Sequence, residues 1–143
     1  MGKSLMMCGT EVVGGKGAIA LLALRLVSGL AFIQHGWPKI QNAFSWMGPD
    51  ASIPALLQGL AAFAEFGGGI ALVLGLLTQL AALGIACVMS VAMFMVHIPA
   101  GDPFVSTGGR SWELAAVYLA IMIALMLRGA GAYSLDALWC RKK

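Results

Sequence analysis

Between Ile53 and Leu77 the chain carries one ionisable side chain, Glu65, set within Ala61-Ala62-Phe63-Ala64-Glu65-Phe66-Gly67-Gly68-Gly69. An apolar run of this length can cross a bilayer, and a carboxylate at its centre costs roughly 2.5–3.5 kcal/mol on insertion scales. Such a group turns away from lipid and takes a partner. The partner expected from the sequence is Arg25, the only ionisable side chain within the first apolar stretch. Counting about 1.5 Å per helical residue puts Arg25 roughly 10–12 Å in from one membrane edge and Glu65 roughly 15–18 Å from the other, a gap that an Arg side chain spans.

The rest of the chain supports a membrane setting. Of its 143 residues 60% are apolar and 10% charged, outside the range of an ordinary soluble domain. Stretches 18–34, 54–77, 79–97 and 112–127 each approach or reach the roughly 17–25 residues that span a hydrocarbon core. The expected fold is all-α, a four-transmembrane-helix bundle with a short interfacial helix over 40–46, after span one. A flexible segment 1–17 precedes the transmembrane domain 18–128, and an interfacial tail 129–143 follows it. An even number of spans puts both termini on one side with Lys3, Lys16, Arg128, Arg141, Lys142 and Lys143, against Lys39 and Arg110 opposite. By the positive-inside rule that side is cytoplasmic, in the plasma (inner) membrane of a bacterium. The basic ends therefore read as topology signals and anionic-lipid contacts, not as a nucleic-acid surface. The three cysteines, Cys8, Cys87 and Cys140, form no Cys-x-x-Cys motif and are expected as free thiols.

Helical spacing groups Arg25, Ser28, Gly29, Phe32 and Gly36 on one face of span one, and Gln58, Ala61, Ala62, Glu65, Gly68, Gly69 and Leu72 on one face of span two. Span one is expected to end in Gln34-His35-Gly36-Trp37-Pro38-Lys39, where Gly36 and Pro38 interrupt the helix. Ser52 and Ser111 are expected to cap spans two and four, and Ala116, Val117, Ala120 and Ala124 to continue inward from Glu113. This threading places His35, Lys39, His97, Arg110 and Glu113 above Arg25 and Glu65, as a polar funnel opening outward. A quinone headgroup suits such a funnel, taking hydrogen bonds from His or Lys and exchanging protons with a carboxylate. The same residues admit plainer readings. Arg25 and Glu65 can be a buried pair that only fixes helix register, the two His interfacial residues, and Glu113 with Arg110 a cap and its neighbour. No metal site and no haem attachment motif is present in the sequence.

The ordered set Arg25, His35-Gly36 with Lys39, Glu65-Phe66-Gly67-Gly68-Gly69, Leu74-Gly75-Leu76-Leu77-Thr78, Glu113, Gly129-Ala130-Gly131 and Ser134-Leu135-Asp136 resembles the DoxX family of small four-span bacterial membrane proteins. The family usually has a basic residue where this chain has Gln79. It takes its name from a subunit of a quinol oxidase associated with thiosulfate:quinone oxidoreduction. The resemblance thus implies a quinone-linked or redox-accessory subunit, with Arg25, His35, Lys39, Glu65 and Glu113 as its ligand-binding residues. His97 is added on the geometric argument above. The expected cofactor, where there is one, is a quinone; the expected partners are the lipid bilayer, a redox protein and further copies of the chain. Any catalysis is expected within a membrane oxidoreductase complex, not from the chain alone. The alternatives are a structural or assembly factor and a small transporter.

Overall fold

The computed structural model describes residues 12–141, and no strand occurs among them. Helix α1 (Gly15–Gln41) is followed by α2 (Ala55–Leu74) and α3 (Thr78–Val91), whose last residues pass without a break into a π-helical turn, Ala92–His97. Helices α4 (Glu113–Arg128) and α5 (Leu135–Arg141) complete the chain. Three continuous helices are long and apolar enough to cross a membrane: Gly15–Gln41, Ala55–Leu74 and Thr78–His97. At 16 residues α4 is shorter, about 24 Å.

The helices pack in chain order, α1 on α2, α2 on α3 and α3 on α4, with α4 returning to α1. Expected faces recur in α1, where Arg25, Ser28, Gly29, Phe32 and Gly36 are buried, and in α2, where Gln58, Ala62, Glu65, Gly69 and Leu72 are. Small residues let these two helices meet backbone to backbone. A Cβ on Gly36 would stand 2.5 Å from the Phe66 nitrogen, and one on Gly69 would stand 2.7 Å from that of Ile33. Behind them Ala82, Ala86 and Met89 of α3 share one apolar core with Ala115, Met122 and Leu125 of α4, large side chains against small.

Several boundaries differ from the sequence expectation. Helix α1 does not end at Gly36-Trp37-Pro38. Pro38 forfeits one backbone hydrogen bond, but Gly36 lies flat against Phe66 and the helix runs on to Gln41. No interfacial helix follows. Residues 42–47 form successive turns closed by Ser45 N–H to the Asn42 carbonyl at 2.9 Å and Gly48 N–H to that of Ser45 at 3.1 Å. Neither Ser52 nor Ser111 caps a helix. Pro54 and Trp112 hold those positions, and the Glu113 N–H is taken by the Phe104 carbonyl at 3.0 Å. The buried face of α4 is Ala115, Met122 and Leu125, so Glu113 and Val117 point outward. Of the cysteines, Cys87 is a free thiol but Cys140 is disulfide-bonded, against expectation. Cys8 and most of the segment 1–17 lie outside the described residues.

Candidate functional site

Arg25 and Glu65 are both buried, yet they do not pair. The Arg25 Nε donates to the Leu72 carbonyl at 2.9 Å, Nη1 to those of Ala130 at 2.6 Å and Tyr133 at 2.9 Å, and Nη2 to Val73 at 3.3 Å. Glu65 instead takes Lys39, whose Nζ donates to Oε1 at 2.7 Å and Oε2 at 2.6 Å. The direction of the Cα–Cβ bond explains the exchange, because side chains on a helix lean toward its N-terminus. On α1 both Arg25 and Lys39 lean toward the end of the bundle where α1 begins. On the antiparallel α2, Glu65 leans the other way, toward Lys39 and away from Arg25. Arg25 therefore reaches the C-terminal carbonyls of α2, which carry the negative end of the helix dipole and have acceptor capacity to spare, the Leu72 carbonyl also taking the Gly75 N–H at 3.1 Å.

The Lys39–Glu65 pair is held rigidly. The Lys39 ammonium lies 4.5 Å from the centre of the Trp46 ring, whose Nε1 donates to the Gln58 carbonyl at 3.0 Å. The Gln58 side chain in turn accepts from Met47 N–H at 3.1 Å and donates to the Ile53 carbonyl at 2.9 Å, which fastens the 42–54 connection onto α2. Sequence reasoning placed Gln58 on the buried face but gave it no role, and it missed Trp46.

A cavity of about 900 Å³ opens beside this pair, between the far ends of α1, α2, the π-helical turn and α4. Most of its wall is apolar, with Phe32, Leu57, Val88, Met89 and Ala115 among the lining residues, and His35, Lys39, Glu65 and His97 reach it. Four of the six expected site residues thus meet in one place. Arg25 and Glu113 do not. Arg25 sits at the opposite end of the bundle, and Glu113 is exposed outside the cavity. His97 is engaged by a residue the sequence did not single out: its Nδ1 lies 2.7 Å from Asp102 Oδ2, which Arg110 Nε also reaches at 3.2 Å. Arg110 therefore pairs with Asp102 and not with Glu113. Among the described residues no cluster of His, Cys, Asp or Glu suits a metal ion.

The family model for DoxX matches residues 20–98, from the first helix through the π-helical turn. The chain belongs to the DoxX family. Its relatives include an uncharacterized protein of Haemophilus influenzae, 32% identical over 126 residues that cover 85% of this chain and 92% of the relative. A second uncharacterized protein of that organism is 28% identical over 141 residues, covering 92% and 89%. The inner membrane protein YqjF of Escherichia coli K12 is 29% identical over 133 residues, covering 87% and 95%. No solved structure matches the chain. With an inner-membrane relative and three membrane-length apolar helices, this DoxX protein is an integral membrane protein.

Three of the segments that carry the DoxX resemblance, 74–78, 129–131 and 134–136, converge on the Arg25 end of the bundle. Gly75, in the left-handed region at φ 66°, ends α2, and a Cβ there would stand 2.7 Å from Arg25 Nη2 and 2.5 Å from Ser134 Cβ. Only glycine satisfies both the turn and the approach. Asp136 accepts from the Leu77 and Thr78 N–H groups at 2.8 and 2.9 Å, capping α3 from a distant part of the chain. Its own N–H donates to the Gly75 carbonyl at 2.9 Å. Ser134 accepts from Ala137 N–H at 3.1 Å and caps α5. At Gln79, where the family usually has a basic residue, the side-chain amide donates to the Met126 carbonyl of α4 at 2.7 Å. This end of the molecule is a lock on helix ends, and the cavity is at the other.

Proposed function

We propose that this DoxX protein is a four-span protein of a bacterial inner membrane, with both termini cytoplasmic, whose cavity binds a quinone-like amphipathic molecule in a redox-accessory role. The observation that carries the ligand reading is the Lys39–Glu65 pair, its carboxylate buried and its ammonium half-buried, in the wall of a largely apolar cavity. The pair has no net charge, so it does not favour an anion. Lys39 has a third N–H beyond the two given to Glu65, and a neutral carbonyl is the acceptor that suits it. The apolar walls suit a ring and the start of an isoprenoid tail, as in most small-molecule sites. Arg25 belongs to the fold and not to the ligand.

The four-span reading is supported by where α4 starts and finishes. It begins beside the cavity mouth at Ser111 and Trp112, and just after it the Ala132 N–H donates to the Val13 carbonyl at 3.0 Å, ahead of α1. Helix α4 therefore covers the same height as its neighbours, with its shortness met by local thinning of the bilayer.

The test is ligand-dependent stability of the purified protein in detergent. A short-tailed benzoquinone should raise the thermal midpoint in a concentration-dependent way, and the Lys39→Met/Glu65→Leu double variant should lose that response while remaining folded. A wild-type midpoint unmoved at saturating quinone overturns the reading.

A further inference from the structure

Asp102 makes two contacts to one residue. Its N–H donates to the His97 carbonyl at 3.0 Å while its Oδ2 lies 2.7 Å from His97 Nδ1. The chain doubles back to do this through Gly101, in the left-handed region at φ 77°, directly after the π-helical turn. The imidazole is thereby fixed in place with Nδ1 committed to the carboxylate. A carboxylate partner on one ring nitrogen determines which nitrogen carries the proton in the neutral ring. Here Nδ1–H faces Asp102, leaving Nε2 as the nitrogen available to the cavity that His97 lines.

On these observations, and resting on the quinone reading above, we infer that His97 makes the cavity distinguish a quinone from its quinol according to pH. The protonated ring carries a second N–H on Nε2 and donates to a quinone carbonyl. The neutral ring presents a lone pair there, which a carbonyl cannot use but a quinol hydroxyl can. Binding of the quinone is thus coupled to uptake of one proton by His97, and binding of the quinol is not. The charged or titratable groups around this ring are Asp102 and Arg110 on its own side and His35, Lys39, Glu65, Cys87 and Tyr118 along the cavity wall. Glu113 lies outside the cavity.

The experiment measures dissociation constants for a short-tailed benzoquinone and, anaerobically, its quinol, by thermal shift in detergent at several pH values between about 5 and 8. The quinone-to-quinol affinity ratio should fall about tenfold or more with rising pH, the worth of one hydrogen bond. In His97→Gln the ratio should become independent of pH, and in Asp102→Asn the quinol preference at high pH should shrink because the tautomer is no longer fixed. Asp50→Asn, at an exposed position outside the cavity, should keep the wild-type profile. A pH-independent ratio in the wild-type protein, or an unchanged profile in His97→Gln, overturns the inference while leaving the binding site standing. If neither form binds at any pH, the inference falls together with the quinone reading.

Discussion

The Lys39–Glu65 pair is asymmetric, and its variants should show it. The Glu65 side chain is 2% exposed and that of Lys39 is 23%. Removing Lys39 strands a carboxylate that is almost wholly buried, whereas removing the charge of Glu65 leaves an ammonium that still has solvent and the Trp46 face. Lys39→Met should therefore destabilise by about 3–5 kcal/mol, and Glu65→Gln by clearly less. The Lys39→Met/Glu65→Leu double variant should recover much of the loss, since well-packed apolar pairs commonly replace buried ion pairs without penalty. Thermal unfolding of the three in detergent orders them. Arg25 should behave differently, because its partners are backbone carbonyls that no second substitution removes. Arg25→Leu leaves the Ala130 acceptor buried and unmet, about 1–3 kcal/mol, and takes from the Leu72 carbonyl one of its two donors, the Gly75 N–H remaining at 3.1 Å. Arg25→Lys cannot reproduce the planar fork that reaches four carbonyls. Both should lower the amount of protein accumulating in the membrane, Leu more than Lys. Sequence spacing placed Arg25 and Glu65 on the right faces, but a carbonyl acceptor has no sequence signature. The charged partner that does have one, Lys39, sat past a Gly-Trp-Pro that reads as a helix end.

At the scale of the helix, the three consecutive glycines of α2 have three different environments. A Cβ on Gly69 would meet Ile33 N at 2.7 Å and Gly29 O at 2.8 Å, both backbone. One on Gly68 would press on the Ile85 side chain, at 3.1 Å, with the Ala81 carbonyl in ordinary contact at 3.6 Å, and one on Gly67 has nothing within 4 Å. Gly69→Ala must push α1 and α2 apart and should destabilise by about 1–3 kcal/mol. Gly67→Ala meets no obstacle and gains up to about 1 kcal/mol of helix propensity. Thermal midpoints moving in opposite directions would bear this out; equal losses would mean that the glycines matter through flexibility and not through contact. Faces of α1 and α2 were legible because small and polar residues recur at helical spacing against a Leu, Ile and Val background. Helix α4 misled because alanines fall on two faces, and its packing face was decided by α3, whose Ala82 and Ala86 make room for Met122 and Leu125. The His97–Asp102 contact was hidden in a stretch of turn formers, Pro99 to Pro103, where the return of the chain depends on the conformation of Gly101.

Over the whole molecule, polar work is divided between two ends. One end, where α1 starts, gathers the termini of α2, α3, α4 and α5 around Arg25, with Asp136 closing the turn that holds Gly75 and Thr78. The opposite end leaves space, and the two basic residues there, Lys39 and Arg110, are each tied to a carboxylate, Glu65 and Asp102. The division makes a topology prediction sharper than charge counting alone. Lys and Arg retain a protein end on the cytoplasmic side, and Lys16 and Arg128 both flank the locked end. A fluorescent protein fused after Lys143 should therefore fold and fluoresce, and alkaline phosphatase inserted at Gly108 should be active. If α4 stayed on one side of the membrane, the fusion after Lys143 would be dark while the insertion at Gly108 stayed active, because three crossings put the two chain ends on opposite faces. That outcome would also have to break the hydrogen bond from Ala132 to Val13 and the Arg25 bonds to Ala130 and Tyr133, all of which require the segment after α4 to lie level with the start of α1.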